Sequence, residues 1–128
     1  MLVQDIHSDS SLQLLLPKSL LAGAVLDHAM SAMTKLLEVG PTVFKIGITH
    51  QPIVRWHNPV YGYKHDLGQY PKMVLLFITA DPIAAAFLEA SLIDRFIATP
   101  GCRNKAKGGE NRLNMCSPYF TYVVFRRL

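Results

Sequence analysis

The strongest constraint on the fold is the unbroken apolar run from Met73 to Ile78, which Asp81-Pro82 follows almost at once. A run of this kind is typical of a strand that is covered on both faces. Asp81 is a good helix-capping residue, and proline suits the first helical position because its missing N–H costs nothing there. We therefore predict a central strand over 72–80 and a helix from Pro82 to about Phe96.

Apolar spacing and turn residues predict the remaining elements. Apolar residues recur every three or four positions in 19–38, which indicates an amphipathic helix that Gly40-Pro41 ends. Residues 42–48 and 119–126 read as strands, and 51–56 as a short helix. The segment 12–16 is either an edge strand or a lead-in. This order favours an α+β fold with helices packed on a small mixed sheet.

Length and composition indicate one domain. The chain has 128 residues, half of them apolar, and a net charge of +4, which is compatible with a polyanionic partner but does not require one. Cys102 and Cys116 lack zinc-ligand spacing, and two free thiols are a better reading than a disulfide. We see neither a signal peptide nor an apolar stretch long enough for a bilayer, so we expect an intracellular protein with no membrane partner, alone or as part of a larger one.

Two residues in the segment 45–55 are candidates for contact with a phosphate. Arg55 lies early in the short helix that follows the strand containing Gly47, where a guanidinium can bind a phosphate in a forked geometry. Lys45 either faces the same cleft or lies on the solvent side of its strand. Arg55 also has a plain alternative, that of an ordinary surface arginine.

Glu89 is the most informative carboxylate. Its helical neighbours at three and four residues, Ala85, Ala86, Leu92 and Ile93, are all apolar, so it projects from the apolar face. A glutamate there needs a cation, a hydrogen-bond donor or a wet cleft. The alternative is a glutamate at the helix edge that reaches solvent or pairs with Arg95 or Lys72.

Four cations fall within ten residues of a glycine-rich loop, which suits a nucleic-acid backbone or is simply a solvated loop. They are Arg103, Lys105, Lys107 and Arg112.

These residues together resemble the GIY-YIG nuclease superfamily over about residues 40–126. Lys45-Ile46-Gly47-Ile48-Thr49, with Pro52 and Arg55, is similar to the second motif in its K-I-G form. Glu89-x-x-Leu92-Ile93, followed by Pro100 and Asn104, resembles the glutamate helix and the later asparagine. The resemblance implies a central antiparallel three-stranded sheet flanked by helices in domain 40–128, with residues 1–39 packed on it as an extension and extra helix.

The resemblance also implies a metal-dependent endonuclease, with DNA as the expected substrate. Glu89 would hold a single Mg²⁺ or Mn²⁺, Arg55 would steady the scissile phosphate, and Lys45 and Asn104 would belong to the catalytic set. No G-I-Y strand precedes the second motif, and Lys45 replaces its tyrosine. The general base is therefore open: Tyr61, Tyr63 or His57 would have to supply it.

Three functions follow from these patterns. The first is a metal-dependent endonuclease, the second a catalytically degenerate nucleic-acid-binding domain on the same scaffold, and the third a small protein-binding domain. The retained Arg55, Glu89 and Asn104 favour the first, whereas the missing tyrosine strand favours the second. If the first is right, Arg55, Glu89 and Lys45 should face one solvent-open cleft.

Overall fold

The computed structural model of this chain describes residues 12–57, 62–63, 70–105 and 117–128. Within those ranges the strands and helices alternate along most of the chain. They are β1 (Leu12–Leu14), α1 (Ala22–Glu38), β2 (Thr42–Thr49), α2 (Pro52–His57), β3 (Lys72–Thr79), α3 (Pro82–Phe96) and β4 (Tyr119–Arg127).

The strands form one mixed sheet in the order β1-β3-β4-β2. β4 runs antiparallel to both β3 and β2, and β1 runs parallel to β3. The expectation of a three-stranded antiparallel sheet is therefore wrong by one strand, because Leu12–Leu14 pairs with Met73–Leu75 and extends the sheet. The mixed α+β class is confirmed.

Local signals explain why β3 and α3 lie where they were predicted. Met73 and Leu75 are fully buried on one face of β3 and Val74 and Leu76 are buried on the other, as an interior strand requires. The Asp81 carboxylate accepts a hydrogen bond from the backbone N–H of Ile83 at 2.9 Å, so α3 begins with a side-chain cap.

The first helix begins later than predicted. α1 starts at Ala22, and its N-cap residue, Leu21, makes no side-chain capping bond. Ser19 instead accepts from the backbone N–H of Leu21, so it lies in the turn that precedes the helix. None of the helices in the described ranges has both the length and the apolar character needed to cross a bilayer.

The two faces of the sheet are covered by different elements. One face packs against α1 and α3 through a core that includes Met33, Phe44, Ile46, Leu92 and Val123. The opposite face packs against α2 and two tyrosines that follow it. The core on that side includes Val43, Trp56, Tyr63, Tyr70, Tyr122 and Val124. Lys45 and Gly47 alternate with Phe44 and Ile46 along β2, so they lie on the α2 face.

Candidate functional site

The pairing of β2 with β4 places Gly47 directly opposite Tyr122. A Cβ atom built on Gly47 would lie 2.3 Å from the Tyr122 hydroxyl oxygen and 2.5 Å from the ring carbon that bears it. No side chain fits in that space. The glycine of the K-I-G motif is therefore needed here because the phenol of Tyr122 lies against the backbone of β2.

A second tyrosine meets the first. The hydroxyl oxygens of Tyr63 and Tyr122 are 2.8 Å apart, within hydrogen-bond distance, and their ring centroids are 5.6 Å apart. The backbone N–H of Tyr63 donates to the carbonyl of Arg55 at 3.0 Å, which ties this tyrosine to the end of α2. Both phenols are almost entirely buried, with exposed fractions of 4% for Tyr63 and 2% for Tyr122.

Two cations complete the group that we call the Tyr–Arg cluster: Lys45, Arg55, Tyr63 and Tyr122. The Arg55 guanidinium lies close enough to both tyrosine hydroxyls to interact with each, and its Cζ lies 5.2 Å from the centroid of the Tyr63 ring. Lys45 Nζ lies 5.7 Å from the same centroid. Cations at these distances are attracted to the electron-rich ring face. The structure thus brings Lys45 and Arg55 together on one tyrosine.

The protonation states of the cluster follow from burial and charge. Burial raises the pKa of Tyr122 well above its ordinary value; Tyr63 adds to this shift and Arg55 opposes it. Burial lowers the pKa of Arg55, but the two tyrosines outweigh burial and raise it overall. At neutral pH the cluster therefore holds a neutral Tyr122 and a cationic arginine.

The hydrogen-bond donors and acceptors of the cluster determine which ligand groups it can bind. Arginine has only donors, so each tyrosine oxygen that bonds to Arg55 is an acceptor. The contact between Tyr63 and Tyr122 uses one hydroxyl hydrogen. The other hydroxyl hydrogen must point to a group outside the cluster. A cation with a neighbouring O–H donor is an arrangement suited to a phosphate oxygen.

Asn104 has a clear structural position beside this site. Its Oδ1 accepts from the backbone N–H of Ile46 at 2.9 Å, and its Nδ2 donates to the carbonyl of Ile46 at 2.8 Å. The amide thus bonds to β2 as a neighbouring strand residue would. These contacts fit a positioning role, in which Asn104 holds β2 next to Gly47.

The residues before Asn104 run along the same edge of β2. The N–H of Phe44 donates to Gly101, and the N–H of Arg103 donates back to Phe44, at 3.0 and 2.8 Å. Gly101 has a φ of 94°, and a Cβ there would lie 1.9 Å from the carbonyl oxygen of Thr42, so only glycine fits. The predicted basic loop therefore starts at the edge of the K-I-G strand.

Of the four cations of that loop, the structure describes Arg103 and Lys105, and both are exposed. Lys107 and Arg112 lie outside the described residues, as does Tyr61, the first candidate for a general base. Of the other candidates for that role, Tyr63 is in the Tyr–Arg cluster and His57 is the last residue of α2.

Glu89 points inward, as its apolar helical neighbours predict, and only 1% of it is exposed. The alternative of a solvent-facing glutamate is therefore wrong. Its helix covers the sheet face opposite the Tyr–Arg cluster, where Ala85 packs with Ile48 and Tyr119. The expected solvent-open cleft shared by Glu89, Arg55 and Lys45 is also not what the structure contains, because Glu89 is shielded from solvent.

The described residues do not fit a hydrated metal ion as they stand. No group of three or more histidine, cysteine, aspartate or glutamate side chains converges among them. Mg²⁺ bound by one carboxylate keeps several water ligands, whereas Glu89 is shielded from bulk solvent, with only 1% of it exposed. The buried Thr121 hydroxyl has no hydrogen-bond partner, but a neutral hydroxyl does not replace an anionic ligand. We therefore route no chemical step through a metal.

Tyr122 is not among the site residues predicted from the sequence. The resemblance predicts a tyrosine strand ahead of Phe44, whereas the strand that pairs with the K-I-G strand is β4, which comes last of the described strands. A signal was present, because a glycine inside an apolar strand marks the close approach of another group. What approaches Gly47 is a tyrosine side chain.

Comparison with known protein families, curated proteins and solved structures finds no match for this chain.

Proposed function

We propose that this chain is a GIY-YIG-like nuclease domain that hydrolyses phosphodiester bonds of nucleic acid, with DNA as the expected substrate. The observation that carries the proposal is the Tyr–Arg cluster over Gly47. In this cluster two tyrosine hydroxyls lie next to Arg55, the arginine of the motif that resembles the second GIY-YIG motif. The K-I-G residues alone are a weak pattern, but their association with this pair of hydroxyls gives them a chemical context.

The resemblance predicts a tyrosine-bearing strand that precedes the K-I-G strand in the sequence. β4 supplies a tyrosine beside that strand from a later position in the chain. The end of β4 also lies close to the start of β2, because the N–H of Leu128 donates to the carbonyl of Pro41 at 3.0 Å. We infer that β4 supplies the tyrosine expected from the missing strand. We also infer that Tyr63 takes the role of the second-motif tyrosine, whose position Lys45 occupies in this chain.

The cluster has the groups that phosphodiester hydrolysis needs for binding and orientation. The exposed Arg55 binds a non-bridging oxygen of the phosphate, and the remaining tyrosine O–H donates to another. A water oxygen then attacks phosphorus, the bond to the leaving oxygen breaks, and the proton from water ends on that oxygen. Tyr122 is neutral and almost entirely buried, so it does not act as a resting phenolate base; its hydroxyl positions Tyr63 and Arg55 for the phosphate.

The edge of β2 provides a second contact region. Arg103 and Lys105 are exposed and adjoin the K-I-G strand through the bonds of Asn104 to Ile46. Lysine and arginine side chains there would bind neighbouring phosphates of the backbone and set affinity without reading sequence.

Tyr122→Phe is the most direct test, because it removes one oxygen and keeps the ring that packs in the core. We expect it to lower cleavage of plasmid and oligonucleotide DNA by at least ~100-fold, in line with the loss of general acid–base or orienting groups. Tyr119→Phe is the matched comparison, since it removes the hydroxyl of a buried tyrosine from the same strand on the opposite face, and it should lose much less cleavage than Tyr122→Phe. Equal cleavage by Tyr122→Phe and wild type would contradict the proposal.

A catalytically degenerate binding domain is the second candidate, and the burial of Glu89 favours it. In that case the wild type should bind DNA but cleave neither duplex nor single strands with Mg²⁺ or Mn²⁺ present. The metal requirement that the resemblance implies, with Glu89 as the ligand, remains a prediction that the same assay checks.

A further inference from the structure

A cavity of about 660 Å³ lies between α1 and the sheet, on the face opposite the Tyr–Arg cluster. Its volume falls within the ~300–1,000 Å³ that is usual for small-molecule sites. Val74, Leu76, Val123 and Phe125 form the floor, while Leu14 of β1 and Leu36 of α1 belong to the walls. The cavity takes no residue from the proposed nuclease site.

The lining is chiefly aliphatic. The floor residues are all buried, so an occupant would contact mainly the partly or fully exposed wall residues Leu14, Leu15 and Leu36. Gln13 is the neutral polar residue among the lining side chains. Surroundings of this kind select a flexible hydrocarbon over a polar ligand, because a buried polar group without partners loses the hydrogen bonds that it makes to water.

One cation at this cavity is held in a fixed position. Arg127 Nη1 donates to the carbonyl oxygen of Leu36 and to Thr42 Oγ1, and its Cζ lies 4.9 Å from the centroid of the Phe125 ring. Both hydrogen bonds use a single nitrogen, whereas a guanidinium has five N–H donors. Lys35 adds a second positive charge to the lining, and among the described residues the lining contains no aspartate or glutamate.

We propose that this cavity binds an amphipathic monocarboxylate, with its hydrocarbon chain between Leu14 and Leu15 on one side and Leu36 on the other. Its carboxylate lies at the end formed by Arg127, with Lys35 contributing its charge. A guanidinium held by two protein acceptors is already oriented, so a carboxylate there loses less side-chain entropy than at a mobile surface arginine. The proposal stands independently of the nuclease function.

Calorimetric titration of the full chain with decanoate, below the concentration at which decanoate forms micelles, tests the idea. We expect saturable binding with one site per chain. Octanoate should bind about 16-fold more weakly, because each buried methylene is worth about fourfold in affinity. Decylammonium should bind far more weakly than decanoate, because its head group has the same sign as Arg127 and Lys35.

Two variants locate the site. Ala32→Trp places a large ring in the cavity from α1 and should abolish decanoate binding. Lys35→Glu, a surface change that leaves the core untouched, should weaken it about five- to tenfold, whereas Lys18→Glu, an exposed lysine outside the cavity, should not. The proposal is overturned by absence of saturable binding to the wild type, by equal binding of decylammonium, or by identical affinities in Lys35→Glu and Lys18→Glu.

Discussion

The hydroxyl oxygen of Tyr122 occupies the position that a side chain at Gly47 would need, only 2.3 Å from where its Cβ would lie. The packing of the Tyr122 phenol against the β2 backbone therefore depends on residues from two strands, β2 and β4, that are far apart in the sequence. The glycine makes room for the phenol, and the phenol in turn is held against β2 by its neighbours Tyr63 and Arg55.

Gly47→Ala should displace Tyr122 or force β2 and β4 apart. We expect a loss of about 1–3 kcal/mol in the free energy of unfolding, the usual cost of overpacking a core, together with loss of cleavage. Gly23→Ala is the matched control, since nothing lies within 4 Å of a Cβ there and Gly23 is in α1. That change should stabilise the protein slightly, by about 0.5–1 kcal/mol. Urea denaturation measures both, and an equally stable Gly47→Ala protein would contradict the geometry.

Alkaline pH should weaken the fold through Tyr122. Its pKa is raised in the folded state, mainly by burial, so the folded protein releases the phenolic proton less readily than the unfolded chain. Stability is therefore unaffected well below pH ~10, the unfolded value, and declines as the pH rises above it. Tyr122→Phe should show a smaller decline between about pH 8 and 11 than Tyr119→Phe in urea denaturation. Parallel curves for the two variants would assign the alkaline loss to other groups.

Asn104→Asp should loosen the edge of β2. The carboxylate keeps the acceptor for the N–H of Ile46 but loses the donor, and it turns an anion toward the Ile46 carbonyl. We expect a cost of about 1–3 kcal/mol in unfolding free energy, because a hydrogen bond is replaced by two facing acceptors. Asp81→Asn makes the reverse isosteric change while keeping an acceptor for the Ile83 N–H, so it should cost little. Similar costs for the two variants would show that the Asn104 donor is unimportant.

The exposed start of the basic loop should govern the salt dependence of DNA binding. If Arg103 and Lys105 each contact one phosphate, changing both to alanine makes the slope of log binding constant against log salt shallower by about 0.9 per contact on duplex DNA. Lys18→Ala should leave the slope unchanged. A double variant with the wild-type slope would mean that this edge of β2 does not touch the backbone.

Glu89→Gln tests the metal requirement expected from the resemblance. The amide keeps the shape of the buried side chain but removes the charge that would hold Mg²⁺ or Mn²⁺. If Glu89 holds the metal, cleavage should be abolished while DNA binding stays intact or becomes tighter. Circular dichroism checks that the variant folds. Cleavage that survives in Glu89→Gln, or that a chelator does not affect in the wild type, would exclude Glu89 as the metal ligand.

The sequence predicts best those elements whose signals are local. The apolar run of β3 and the Asp81-Pro82 start of α3 are complete within a few residues, and both elements lie where they were expected. β1 gave only an ambiguous signal, because three residues are too few to establish an alternation and its partner Met73–Leu75 is far along the chain.

The candidate site was harder to predict because its parts are joined only by the topology. Lys45, Arg55 and Gly47 lie within one motif and could be recognised together. Tyr122 belongs to the site only because β4 pairs with β2, and no short-range pattern encodes that pairing. For Glu89 the neighbours predicted the inward direction correctly, but they could not indicate on which side of the sheet the helix would pack.

The position of β4 has a consequence for how the molecule is made. β4 follows the other three strands in sequence, yet it lies inside the sheet, between β3 and β2. As the chain leaves the ribosome, β2 and β3 emerge as hydrophobic strands that have no pairing to each other, and their inner edges stay open until β4 arrives. Contacts so distant in sequence form slowly, and exposed strand edges at that stage favour association with other chains. A nascent chain stalled before Tyr119 should therefore be a substrate for chaperones.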